Sequence, residues 1–104
     1  MKMNLNEYQE KAMSFRLPSA DYVYAIVNLS AEVGELQSIF SKAWRDKAII
    51  DVLAFQKELG DVLWHVAAIA KDYGWSLEDV AATNLSKLTD RLQRGAIQGS
   101  GNNR

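Results

Sequence analysis

With 104 residues the chain has room for one domain and a modest core, since a domain this size buries only roughly 60–65% of its unfolded surface. Apolar residues make up 48%, and 12 basic side chains nearly balance 13 acidic ones. This excludes a disordered composition and gives no electrostatic reason to expect duplex nucleic acid or an anionic membrane as partner. There is no cysteine, which excludes disulfides, thiolate metal sites and cysteine nucleophiles.

Met1 to Tyr8 is polar and lacks the apolar core of a signal peptide, and no stretch reaches the ~18 uninterrupted apolar residues of a membrane span. A cytoplasmic, single-domain protein is expected over residues 1–104, with 94–104 as a glycine-rich C-terminal tail. Strand-like alternation is absent, while helical spacing recurs throughout. A first helix is expected from about Asn4 to Arg16, with Leu5, Tyr8, Ala12 and Phe15 on one side; Leu17-Pro18 ends it, because the residue before proline avoids helical angles. Ser19 or Asp21 can cap a long second helix to about Arg45. Asp51 can cap a third, ending near Tyr73-Gly74. Ser76-Leu77-Glu78-Asp79 resembles a capping box opening a fourth helix that runs to about Arg94.

Steps of three and four residues alternate along these helices. The second carries Tyr22, Ile26, Leu29, Val33, Leu36, Phe40 and Ala43; the third carries Val52, Phe55, Leu59, Val62, Val66, Ile69 and Tyr73; the fourth carries Leu77, Ala81, Leu85, Leu88 and Leu92. Such seams belong to near-antiparallel helices, so the expected fold is all-α, a four-helix bundle. The third helix is apolar beyond its seam, through Leu53, Leu63, Trp64, Ala67 and Ala70. A second subunit is therefore expected to cover part of it, giving a homodimer or a homotetramer built as a dimer of dimers.

Polar residues border the seams at matching rotational positions. One residue before each seam lie Asn28, Glu32 and Glu35 on the second helix, Glu58, Asp61 and His65 on the third, and Asn84, Lys87 and Arg91 on the fourth. The heights agree as well, so four carboxylates should face each other across a groove with two cationic groups nearby. Like charges three apart cost each helix roughly 0.2–0.5 kcal/mol, and burial adds desolvation. A divalent cation removes both penalties, and an all-oxygen donor set points to Mg²⁺, with Mn²⁺ as a substitute. A single Glu-x-x-Glu on a helix is ordinarily a solvated face; two opposed pairs at one level carry more weight.

Glu32-Val33-Gly34-Glu35, then Glu58-Leu59-Gly60-Asp61 after a spacer, resembles the E-x-x-E and E-x-x-D signature of the MazG-like all-α nucleoside triphosphate pyrophosphohydrolases. Asn84-Leu85-Ser86-Lys87-Leu88 with Arg91 is similar to the family's downstream N-x-x-K-L-x-x-R, and Arg94 to Arg104 resembles its R-G-x-I-x-G-x-G-D-x-R ending. The resemblance implies Mg²⁺-dependent hydrolysis of a nucleoside triphosphate to monophosphate and pyrophosphate, as in nucleotide-pool cleansing, by a dimer or tetramer. It implies Glu32, Glu35, Glu58 and Asp61 as metal ligands and Glu35 or Glu32 as the group that positions or deprotonates water. Asn84, Lys87, Arg91 and Arg104 would meet the phosphates. Ala31 stands where some relatives have a further glutamate, Asn102 where relatives often have aspartate, and His65 where tyrosine is common. With four carboxylates at hand, His65 reads as a hydrogen-bonded flank residue rather than a ligand. Tyr8, Gln9, Trp44 and Trp64 could meet a nucleobase but suit packing better. The rivals are a ferritin-like carboxylate bundle, which needs Glu-x-x-His pairs that are missing here, and a non-catalytic helical module that binds a partner through the third helix.

Overall fold

The computed structural model describes residues 2–95. Among these, four helices and no strands occur, and every helix starts on a polar cap that the sequence supplies. Helix α1 (Leu5–Met13) opens with a full capping box: the Asn4 side chain accepts from the Glu7 amide at 2.8 Å, and the Glu7 carboxylate accepts from the Asn4 amide at 3.3 Å. Asp21 caps α2 (Tyr22–Asp46) by accepting from the Tyr24 amide at 3.0 Å. Asp51 caps α3 (Val52–Asp72) at 3.1 Å from the Ala54 amide, and the Ser76 hydroxyl caps α4 (Leu77–Gln93) at 3.1 Å from the Asp79 amide. Caps of this kind contribute about 1 kcal/mol each.

Two boundaries differ from the sequence expectation. Helix α1 stops at Met13 rather than Arg16, because the chain tightens there into bonds three residues long, Phe15 to Ala12 and Arg16 to Met13. The α2 terminus is made by Lys47, a non-glycine residue in the left-handed region (φ 53°, ψ 36°), which lets the Ala48 amide reach back to Ala43 O at 2.9 Å.

The five residues between α2 and α3 fold them into an antiparallel hairpin that dominates the packing; α1 lies on α3, and α4 meets α1 and α3. Helix α2 packs on neither α1 nor α4. The deepest burial between α2 and α3 falls on the stripe beside the heptad seam, while Leu29, Val33, Leu36, Phe55, Val62, Val66 and Ile69 of the seam are half-buried. Ala25, His65 and Ala68 on that stripe are buried, whereas the seam residues Tyr22, Ile26, Phe40, Val52 and Leu59 are exposed. The ends of the seams therefore border the hairpin instead of filling it.

At one end of the hairpin α1 completes a small core of Ala12, Ala67, Ala70 and Leu77. The buried Gln9 ties three segments together there: its amide nitrogen donates to Ala67 O and Trp75 O, both at 3.2 Å, and its oxygen accepts from the Leu77 amide at 3.0 Å. Trp64 donates its indole N–H to Ala12 O at 3.1 Å, and Arg16 grips Asp72 with two parallel bonds of 2.8 Å. The chain's own first helix thus lies against Trp64, with Ala67 and Ala70 buried beside it. At the other end Phe40, Trp44, Ile49, Val52 and Leu53 are all more than half exposed. Among the described residues no large side chain is fully buried, and the radius of gyration of 16.4 Å exceeds the ~13 Å usual for a compact domain of about this length. No helix among the described residues is long and apolar enough to cross a membrane.

Candidate functional site

Because the contact line of the hairpin is the polar stripe, the two acidic motifs face one another across it. Asn28 stands opposite His65, and Glu35 is near enough to Glu58 for its charge to raise the Glu58 pKa. Between these levels one carboxylate oxygen each from Glu32, Glu58 and Asp61 lies within 4.8 Å of the others. The glycines of the two motifs, Gly34 and Gly60, have no atoms near the position a side chain would take, so they are not required for the close approach.

The electrostatics are those of a cluster of like charges. Desolvation raises the pKa of Glu32 above the usual carboxylate value, and the charges of Glu35 and Asp61 push it the same way; His65 and the hydrogen bond from Asn28 pull it partly back. Glu58 is raised by desolvation first, then by Glu35, Asp61 and Glu32. One oxygen of each, Glu32 Oε2 and Glu58 Oε2, is buried without a hydrogen-bond partner. A carboxylate oxygen left so is costly, and a cation shared with Asp61 is the partner such a donor set fits.

Beside the cluster opens a cavity of about 400 Å³. Glu32, Asp61 and His65 form its polar floor, and Phe15, Arg16, Leu17, Ser19, Ala20, Tyr24 and Trp64 form its walls. Tyr8 on α1 is also within reach of the acidic field: burial raises its phenol pKa, and the charge of Asp61 raises it further. The pocket thus joins a set of hard oxygen donors to an aromatic wall, an arrangement able to hold a metal-bound polyphosphate next to a planar group. A larger cleft of about 620 Å³, lined by Phe40, Ala43, Trp44, Arg45, Lys47, Ala48 and Ile50 at the exposed end of the hairpin, contains no carboxylate or imidazole.

Of the residues singled out from the sequence, the fold gathers Glu32, Glu58 and Asp61 and sets Glu35 against Glu58. Asn84 and Lys87 are exposed on α4, while Arg91 is buried at 4% exposure. Arg104 lies outside the described residues. Gln9 holds backbone, and Trp44 stacks on Phe40 in the outer cleft, so neither borders the acidic cavity. Sequence reasoning gave no place at the site to Tyr24 or the Phe15–Ala20 segment, and no function to Asn28 beyond membership of the polar stripe. Asn28 was within reach of it, since it occupies the acidic stripe one turn before Glu32; the loop was not, because its place depends on the Arg16–Asp72 bond.

Over residues 24–95 the chain matches the family model of the MazG nucleotide pyrophosphohydrolase domain. It is 41% identical over 85 residues to the Gene 37 protein of Mycobacterium phage L5, across 78% of this chain and 75% of that protein. No solved structure matches it significantly.

Proposed function

The chain belongs to the MazG nucleotide pyrophosphohydrolase family, and on that footing we propose that it hydrolyses (deoxy)nucleoside triphosphates to the monophosphate and pyrophosphate with Mg²⁺. The observation that carries this reading is the pair of buried, partnerless oxygens, Glu32 Oε2 and Glu58 Oε2, in a cluster with Asp61. Family membership supports a nucleotide substrate and a divalent metal in general terms; Mg²⁺ is chosen because every donor is a carboxylate oxygen.

Glu32, Glu35, Glu58 and Asp61 would hold the metal. A divalent cation there supplies Lewis-acid polarisation of the α-phosphoryl group, acidification of water and neutralisation of the departing pyrophosphate. Glu32 or Glu35 would take the proton from the attacking water. Asn84, Lys87, Arg91 and Arg104 are the proposed phosphate contacts, countering charge that four carboxylates alone would repel. The aromatic wall of the cavity excludes water on one side of the substrate.

The domain extends over residues 1–104 in this reading and assembles as a homodimer or homotetramer in the cytoplasm, a second subunit covering the exposed apolar end of the hairpin. The deciding experiment is a panel of common and damaged nucleoside triphosphates assayed for pyrophosphate release with Mg²⁺ or Mn²⁺. Turnover of one class with release of pyrophosphate supports the proposal, whereas release of orthophosphate or no turnover overturns it. The exposed end of the hairpin also suits a second reading, a non-catalytic module that docks a partner. Thermal melts with Mg²⁺ and a non-hydrolysable nucleotide separate the two, because a ligand of the folded state raises the melting temperature by mass action.

A further inference from the structure

One polar chain behind the acidic cluster does not belong to the ligand set. His65 is 4% exposed, its ring flanked by Trp64 at 5.2 Å and Tyr24 at 5.8 Å between centroids. Its Nδ1 lies 2.8 Å from the backbone oxygen of Asp61. A carbonyl only accepts, so Nδ1 carries the hydrogen of this bond. Its Nε2 lies 3.1 Å from Asn28 Nδ2, and the same nitrogen is 3.3 Å from Glu32 Oε1 and 3.2 Å from the Tyr24 hydroxyl. A carboxylate can only accept, which turns the NH₂ face of Asn28 toward Glu32 and leaves Nε2 of His65 as an acceptor. The hydrogens then run one way, from His65 to the Asp61 carbonyl and from Asn28 to both His65 and Glu32. Oε1 of Glu32 is occupied by Asn28; Oε2 is the oxygen left without a protein partner.

We propose that Asn28 and His65 are positioning residues: the imidazole, held as the Nδ1–H tautomer by the Asp61 carbonyl, fixes the Asn28 amide, which clamps Glu32 so that Oε2 is presented to a divalent cation. The proposal rests on the metal reading above and adds to it the reason a histidine occupies this buried place. Groups behind a metal ligand orient it, and their loss typically lowers metal affinity on the order of 10–100-fold.

The probe is Mn²⁺ binding to the nucleotide-free chain, measured by electron paramagnetic resonance, beside ¹⁵N NMR of the His65 ring in the metal-free protein. The wild-type ring is expected as the Nδ1–H tautomer, and Asn28→Ala is expected to shift Nε2 while leaving Nδ1 in place. His65→Leu and Asn28→Ala should each weaken Mn²⁺ binding about tenfold or more with helicity retained. His65→Gln, whose side-chain oxygen can accept from Asn28, should recover most of the loss. An Nε2–H tautomer, or wild-type Mn²⁺ affinity in a folded His65→Leu, overturns the positioning role alone. Absence of Mn²⁺ binding in the wild-type chain overturns both this role and the metal reading. A His65→Leu variant that fails to fold leaves the decision to Asn28→Ala, a half-buried position, and to the ring tautomer.

Discussion

The two ends of the α2–α3 hairpin have the same kind of apolar spacing and opposite fates. At the end joined to α1 and α4, Ala67, Ala68 and Ala70 are buried and Gln9 binds three backbone segments. At the turn between the helices, Trp44 is 78% exposed and Ile49 98%. A seven-residue pattern states that a face is apolar, but not which element will cover it. Here alanines admit a close neighbour from the same chain, whereas bulky tryptophan, phenylalanine and isoleucine protrude where no neighbour among the described residues arrives. The acidic groove lies between these ends.

The strongest way to sharpen that contrast is to damage the groove and spare both ends. Glu58→Gln and Asp61→Asn should each reduce metal-dependent pyrophosphate release on the order of a thousandfold or more, since several kcal/mol of transition-state stabilisation depend on the cation. Circular dichroism should show unchanged helicity; activity retained in both variants would remove the site assignment.

Damage to the closed end should act on stability instead. Gln9→Ala leaves the Leu77 amide and two carbonyls without their partner, a loss of about 1–3 kcal/mol that denaturant titration would read as a lower midpoint. At the open end, Trp44→Ser combined with Ile49→Ser should leave the unfolding midpoint of dilute protein nearly unchanged and shift sedimentation toward smaller species. A large loss of monomer stability from that double change would break the comparison.

The smallest expected effect is in the groove's response to pH. Glu32 and Glu58 have folded-state pKa values above those of the unfolded chain, so each favours folding while protonated. That contribution is whole below the ordinary carboxylate pKa near 4.3 and is lost as pH rises through the raised folded values. The metal-free protein should therefore melt at a lower temperature at neutral pH than just above pH 4 on account of these groups, and Glu58→Gln should flatten the decline. Saturating Mg²⁺ should reverse its sign near neutrality, because the ionised ligands then have a cation.

Much of this architecture was legible in the sequence. Asp51 and Ser76 cap the helices they were expected to cap, and Asp21 rather than Ser19 caps α2, because a short polar side chain before an apolar run has a local job that needs no tertiary information. The opposition of the two acidic motifs followed from matched heights on sequential helices, which a five-residue turn enforces. What could not be read is which stripe forms the contact. The seams were expected to meet, yet Ala25 and Ala68 are small enough to bring α2 and α3 together along the polar line. The place of α4 was hidden for a related reason. Leu85 and Leu92 continue its seam but are 64% and 69% exposed, and helical spacing alone does not say that α2 will be out of reach.

The grip of Gln9 has a further consequence for how the molecule opens. Its amide reads one carbonyl inside α3, one in the turn after it and the first amide of α4, so α1 cannot peel away without releasing the start of α4 as well. Amide protons around Leu77 should consequently exchange with solvent in step with those of α1, as one cooperative unit, while the centre of the α2–α3 hairpin exchanges on a slower clock of its own.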